Sequence, residues 1–286
     1  MSLKRILAAA SGGPGDATTL AFAAWLANQH HGVVEVLPVY ADSAADMIAL
    51  GMTLGAPLSR TAIEELAAAE RDLQVRIEAA GQRAASEADL AFGAGDGAPR
   101  LSVLTRGLRP GLALSREAAL ADLVVVARES TGGGAGRSLL GQALIVDRAP
   151  VLVARGEPDR LAGAAAIAWD GSAQAGRAVR AALPLLAMAS RLHILQCISG
   201  LDPQAGDPDV GALNAYLKLH GVGAGETILV EGEEEGAALL AAAAGREAGL
   251  LVAGAWGHSR LRETVFGGAT RSFLNPKDGP SVLLAH

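Results

Sequence analysis

The sequence predicts an α/β protein of two tandem domains, each a five-stranded parallel sheet with helices on both faces. Three observations carry that expectation. Short, continuous apolar runs recur along the chain, as strands covered on both faces of a parallel sheet require. Alanine-rich helical stretches alternate with those runs. The whole series is also written twice: RILAAASGG answers AIAWDGSAQ, and DLVVVARES with its following APVLVARG answers GLLVAGAWG with its following GPSVLLAH.

In chain order, residues 5–10 form the first strand, ended by Ser11-Gly12-Gly13-Pro14-Gly15. A helix over 16–30 follows, with Asp16 as its N-cap. Residues 33–40 are apolar and partly β-branched, so strand, helix and strand make a right-handed βαβ unit. Residues 43–58 are irregular, and a long amphipathic helix is expected over 59–92. A strand at 101–105, a helix at 110–120 and a strand at 122–127 come next. A glycine-rich loop over 130–136, a helix over 138–147 and a strand over 150–154 close the first half.

Residues 155–159 have linker character, which sets domains at 1–157 and 158–286. The pattern then restarts with a strand at 164–169, a turn at 170–172 and a helix at 173–189. Strands at 192–198, 227–230 and 250–254 alternate with helices at 207–219 and 236–248. Gly254 and Gly257 bracket a tight turn, a polar loop follows, Gly267-Gly268 opens a helix, and residues 281–285 are the last strand. The period far exceeds the roughly 50 residues of the longest common structural repeats, so this is a domain duplication and not a solenoid.

Composition narrows the function classes. Hydrophobic residues make up 50% and aromatics 3%, so the core is built from Ala, Val, Leu and Ile. A mean hydropathy of +0.30 reflects alanine, not a bilayer. The net charge of −6 and the absence of a Lys/Arg run speak against nucleic-acid binding. The single cysteine, Cys197, offers no disulfide framework and no Cys-based zinc site, and a reducing cytoplasm is its natural compartment. No apolar run approaches the ~18 residues of a membrane span. The six histidines are scattered, so no metal site is expected.

In open parallel sheets a ligand lies beyond the carboxyl ends of the strands, where strand order reverses. A strand, a glycine turn and a glycine-opened helix can hold phosphate with backbone N–H groups. Gly254 to Thr270 has that form, although the same glycines would also serve turns alone. Asp170, at the end of the second domain's first strand, is either a ligand contact or a helix cap. Residues His258, Ser259, Arg260 and Arg262 make a lid over phosphates or a solvated loop. Other motifs fall short. Residues 131–138 are like a P-loop but lack its first glycine, and Arg137 stands for the lysine. Residues 257–261 are one glycine short of a nucleophile elbow. Glu231 to Glu235 suit a helix dipole. No catalytic base, nucleophile or metal cluster is evident, so turnover is not expected as the main activity.

The pattern strand-G-x-x-G, nine residues, G-G, then P-x-V-L-L, here Gly254, Gly257, Gly267-Gly268 and Pro280 onward, resembles the universal stress protein (UspA) family. Trp169-Asp170-Gly171-Ser172 is similar to that family's strand-Asp-turn. The resemblance covers both halves, strongly in 163–286 and more weakly in 1–156. It implies Rossmann-like domains of the adenine nucleotide alpha hydrolase-like kind and a stress-response role. It also implies ATP or a related adenine nucleotide, accompanied by Mg, in the C-terminal domain. Carried over, Asp170 with Ala168, Trp169 and the backbone of Cys197 holds the nucleoside. Gly254, Gly257, Gly267, Gly268, Ala269 and Thr270 hold the phosphates, with His258 in the loop between them. The resemblance further implies that the strands at 151–154 and 282–285 join the halves as an intramolecular pseudo-dimer, with a homodimer as an additional option.

This sequence departs from the family pattern at several points. Gly268 stands where Ser or Thr is usual, a loss of about 1 kcal/mol of hydrogen bonding that the Thr270 hydroxyl could supply. Trp256 lies inside the turn. In the first half Ala9 is set opposite Asp170, and Ala127 and Ser130 replace the turn glycines, so that half is not expected to bind nucleotide. The alternative readings are a nucleotide-independent interaction or signalling protein with decayed sites, and a slow ATP hydrolase.

Overall fold

Each apolar run expected to form a strand does so. The computed structural model of the chain describes residues 2–40, 60–104, 110–132, 134–201, 208–255, 268–275 and 278–286. The first half contains β1 (Arg5–Ala10), α1 (Asp16–His30), β2 (Val33–Pro38), α2 (Arg60–Glu87), β3 (Ala91–Phe92) and β4 (Arg100–Val103). It continues with α3 (Pro110–Ala118), β5 (Leu123–Ala127), α4 (Gly134–Gly141) and β6 (Val151–Ala154). The second contains β7 (Ala164–Ala168), α5 (Ala173–Leu186), β8 (Arg191–Cys197), α6 (Val210–Leu219) and β9 (Glu226–Val230). It closes with α7 (Glu235–Ala244), β10 (Ala248–Gly254), α8 (Gly268–Leu274) and β11 (Ser281–Ala285).

These strands form a single sheet in the order β3-β4-β2-β1-β5-β6-β11-β10-β7-β8-β9. The pairings are parallel except that of β6 with β11, which is antiparallel and centred on Leu152 opposite Leu283. Both faces of the sheet are covered. On one face, Leu20 of α1, Ile77 of α2, Ala178 of α5 and Leu213 of α6 share a core with Leu152 and Leu283. On the other, Leu114 of α3, Leu140 of α4, Leu239 of α7 and Phe273 of α8 pack with Val151, Val153, Val282 and Leu284. Alternate residues of β6 and β11 therefore feed both layers, which is why these strands read as unbroken apolar runs.

Four local expectations are corrected. The helix set at 59–92 stops at Glu87, because Asp89 turns left-handed (φ 54) and Ala91–Phe92 then pairs with β4. Aspartate tolerates that conformation, and Leu90-Ala91-Phe92 beyond it holds no glycine or proline that would mark the stop in the sequence. In the glycine-rich loop, a 3₁₀ turn (Arg128–Thr131) precedes α4, which starts four residues before its expected position and ends in a π-turn (Gln142–Val146). A Cβ on Gly136 would lie 1.9 Å from the Ser130 carbonyl oxygen, so close packing accounts for that glycine. The stretch with linker character is packed: Arg155 is buried and Pro158–Ala162 form a 3₁₀ turn.

The fourth correction concerns register. Ala8 pairs with Val125 as Ile167 pairs with Val252. Val125 pairs with Leu152 as Val252 pairs with Leu283. Ser11 therefore corresponds to Asp170, and Gly12 to Gly171, whose φ values of 78° and 75° agree. Ala9, set opposite Asp170 from the sequence, corresponds to Ala168. A run of alanines carries no register signal, so the sequence match of the two halves lies two positions from the structural one.

Candidate functional site

Strand order reverses between β7 and β10, so their carboxyl ends frame the crevice in which a ligand of such a sheet lies. Val252 is level with Ile167, which brings Gly254 level with Trp169. Ala168 pairs with Leu195, and the Trp169 N–H donates to the Leu195 carbonyl at 2.9 Å. Cys197 lies two residues further along β8, level with Asp170 and still paired with Val230. Ala168, Trp169, Asp170, Cys197 and Gly254 thus gather along one edge. Gly268 and Ala269 open α8, and Thr270 behind them is buried at 2% exposure. Gly257, His258 and Gly267, together with Trp256, lie outside the described residues.

Two local devices set the Asp170 turn. Asp170 Oδ1 accepts from the Ser172 N–H at 2.9 Å, and Ser172 Oγ accepts from the Ala175 N–H at 3.2 Å. Ser172, not Asp170, is therefore the cap of α5. The second carboxylate oxygen of Asp170 has no partner among the described residues, so it remains an acceptor for a hydroxyl or amino group. Gly254 has a packing role of its own. A Cβ there would meet the Ala175 nitrogen at 2.7 Å and the Gln174 carbonyl carbon at 2.9 Å. The glycine lets the first turn of α5 lie against β10.

Two further residues belong to this edge, one not singled out in the sequence and one read there only as a partner of a helix dipole. Gln174 is 7% exposed, and its Oε1 is buried without a partner among the described residues. It was concealed inside an ordinary helical pattern. Glu235 begins α7, as a partner of the helix dipole would, but it also feels Asp170. Burial first, and the Asp170 charge second, push its carboxyl above the ordinary value. The signal was topological: α7 follows β9 at the same end of the sheet where α5 follows β7.

At the corresponding end of the first half, the chain fills the space with its own groups. Asp16 is 4% exposed, and its carboxylate accepts from the Ser11 N–H at 2.9 Å and the Gly12 N–H at 2.7 Å. It reaches back into the turn instead of capping α1, whose N-cap position is Gly15. Thr19 Oγ1 donates to the Gly15 carbonyl at 3.1 Å and accepts from the Ala127 N–H at 2.8 Å. Burial raises the Asp16 pKa, and the turn N–H bonds only partly oppose it. A raised carboxyl pKa stabilises the fold below the unfolded value of about 3.8, and that contribution is lost as pH rises through the folded value. The unfolding free energy of the wild-type protein minus that of Asp16→Asn is therefore expected to fall as pH climbs from below 3.8. Urea titrations at several pH values measure it; a difference that stays flat or rises would contradict the assignment.

Open parallel α/β sheets with a crevice at their strand ends are a broad class of ligand-binding folds. The universal stress protein family matches residues 2–146, half of the chain, and the chain belongs to that family. The matched half is the one whose turns lack the expected glycines. No curated protein matches the chain. Among solved structures, a universal stress protein from Archaeoglobus fulgidus DSM 4304 is similar at 14% identity with a TM-score of 0.67, covering 99% of this chain and 96% of that one. A putative universal stress protein from Pseudomonas aeruginosa UCBPP-PA14 gives 14% identity and a TM-score of 0.55, with 99% and 93% covered. A functionally unknown protein from Pseudomonas aeruginosa PAO1 gives 14% and 0.54, with 99% and 92% covered. At such identities these likenesses concern the fold alone. No described helix is long and apolar enough to cross a membrane.

Proposed function

We propose that this is a cytoplasmic stress-response protein whose second half binds ATP or a related adenine nucleotide, without turnover as its main activity. The observation that supports this most is the Asp170 turn. It leaves one carboxylate oxygen without a partner among the described residues at the reversal of strand order, level with the end of β8 at Cys197. On this reading Asp170, with Ala168, Trp169 and the Cys197 backbone, takes the nucleoside, and its free oxygen accepts from a ribose hydroxyl or the base. The backbone at Gly254, Gly257, Gly267, Gly268, Ala269 and Thr270 takes the phosphates, beside His258. Asp170 and Glu235 make the nucleoside end acidic, so like charge favours phosphates at the opposite, glycine-lined end. Three or more His, Cys, Asp or Glu side chains do not gather as a metal-binding group among the described residues. Mg would therefore enter with the phosphates.

The two halves, 1–157 and 158–286, are on this account two domains of one kind, joined through β6 and β11 as a pseudo-dimer. Only the second retains an open strand-end turn, because Asp16 occupies the first.

The test is calorimetric titration with ATP, ADP and AMP. Asp170→Asn keeps the acceptor for the Ser172 N–H and removes the charge. It is expected to weaken binding by about 10- to 100-fold, the range for losing a hydrogen bond to a charged acceptor. Wild-type affinity weaker than millimolar would sink this reading. That outcome would favour the nucleotide-independent interaction protein.

A further inference from the structure

The first half reaches across the β6–β11 junction with two arginines. Arg155 is 4% exposed. Its Nη1 donates to the Pro280 carbonyl at 2.8 Å, and its Nη2 donates to the Phe273 carbonyl. Its backbone N–H donates to Ser281 Oγ at 3.0 Å. Arg128, in the turn after β5, donates from Nε to the Leu274 carbonyl at 3.2 Å and from Nη2 to the Asn275 carbonyl at 2.6 Å. Three consecutive carbonyls at the end of α8 are thus held by guanidinium groups from the other half. The carbonyls at a helix end lack intrahelical partners and carry partial negative charge, so cations are the favourable donors there.

Ala127 pairs with Ala154 as Gly254 pairs with Ala285, so the next residues, Arg128 and Arg155, correspond to Ala255 and His286. There His286 Nδ1 is 2.9 Å from the Ala255 carbonyl oxygen, a contact within their own half. The end of α4 is fastened locally as well, where Gln142 Nε2 donates to Ser115 Oγ at 2.8 Å and to Asp147 Oδ1 at 3.2 Å. Among the described residues α8 is thus held by arginines of the other half, and α8 is the helix whose first residues belong to the proposed nucleotide site.

We infer that Arg128 and Arg155 are positioning residues: through them the first half, whose own strand-end turn is filled, fixes the helix that opens the site of the second. The consequence for ligand binding rests on the nucleotide reading; the hold on α8 does not. An arginine suits the task because one planar group serves two carbonyls at once, which a lysine cannot do in the same geometry.

The test is amide hydrogen exchange on the full chain, paired with the ATP dissociation rate. Arg128 is only partly buried, so Arg128→Met is expected to fold. It should speed exchange at Leu274 and Asn275, and speed ATP release, each by roughly tenfold or more, since losing even one hydrogen bond to a charged donor costs about 1.5 kcal/mol. Arg128→Lys should fall between Met and wild type in both readouts. Arg5→Ala removes the ion pairs to Glu35 and Glu117 in the first half and should leave both readouts unchanged. Unchanged exchange in Arg128→Met would overturn the hold on α8. Faster exchange with unchanged ATP release would overturn the positioning role. If wild-type protein binds no ATP, the nucleotide reading fails by itself, and exchange alone decides whether the first half holds α8.

Discussion

Replacing Arg155 with methionine is expected to destabilise the protein by about 2–4 kcal/mol. The side chain fits by length, but methionine has no donors. The Phe273 and Pro280 carbonyls would then lose partners in a buried setting. A buried acceptor left unsatisfied costs about 1–3 kcal/mol. Part of that loss is offset, because burying the guanidinium is itself unfavourable. Burial, reinforced by the Arg128 charge and opposed by Glu129, pushes its pKa down to about 10. Its Nε–H also has no acceptor among the described residues. The net effect remains a loss, because only one partner of each bond is removed. Urea denaturation of the two proteins checks it, and a loss below about 1 kcal/mol would mean that the carbonyls find other donors.

Replacing Gly254 with valine is expected to cost about 3 kcal/mol, the upper end for overpacking a close-packed interior. The obstacle is the backbone of Gln174 and Ala175 at 2.7–2.9 Å from a Cβ, which cannot rotate away. Gly15→Ala in the first half is a milder change. Its Cβ would meet Ser130 Oγ at 2.5 Å and the Ala127 Cβ at 3.2 Å, and the serine can turn aside. The halves solve one contact from opposite sides: the second places its glycine on the strand, and the first places it ahead of the helix. Thermal unfolding of both variants measures the contrast. Equal losses would contradict this account of the contact.

The fold was legible because its signals are local and repeated. Runs such as Leu123–Ala127 and Val282–Ala285 are short and apolar on both faces, as covered strands between turns are. What stayed hidden depended on contacts between distant residues. Arg155 lies in a Gly- and Pro-containing stretch that reads as a solvated linker, yet its partners are more than a hundred positions away. Asp16 looks like a cap by position, and only the fold of residues 11–15 turns its carboxylate back onto Ser11 and Gly12. The Ala9 slip came from the alanines of β1 and β7. In the candidate site, the placement of Asp170 and Gly254 at neighbouring strand ends was legible from type and spacing. Gln174 and Glu235 were not, because a glutamine inside a helix and a glutamate at a helix start each have an ordinary explanation.

Two corresponding strand-end turns differ: Asp16 fills one, and the other, at Asp170, is the one proposed to take an adenine nucleotide. Calorimetric stoichiometry tests it most directly. Saturating titration of the full chain with ATP is predicted to give one nucleotide per chain, with Asp16→Asn leaving that number unchanged. Two nucleotides per wild-type chain, or none, would contradict it.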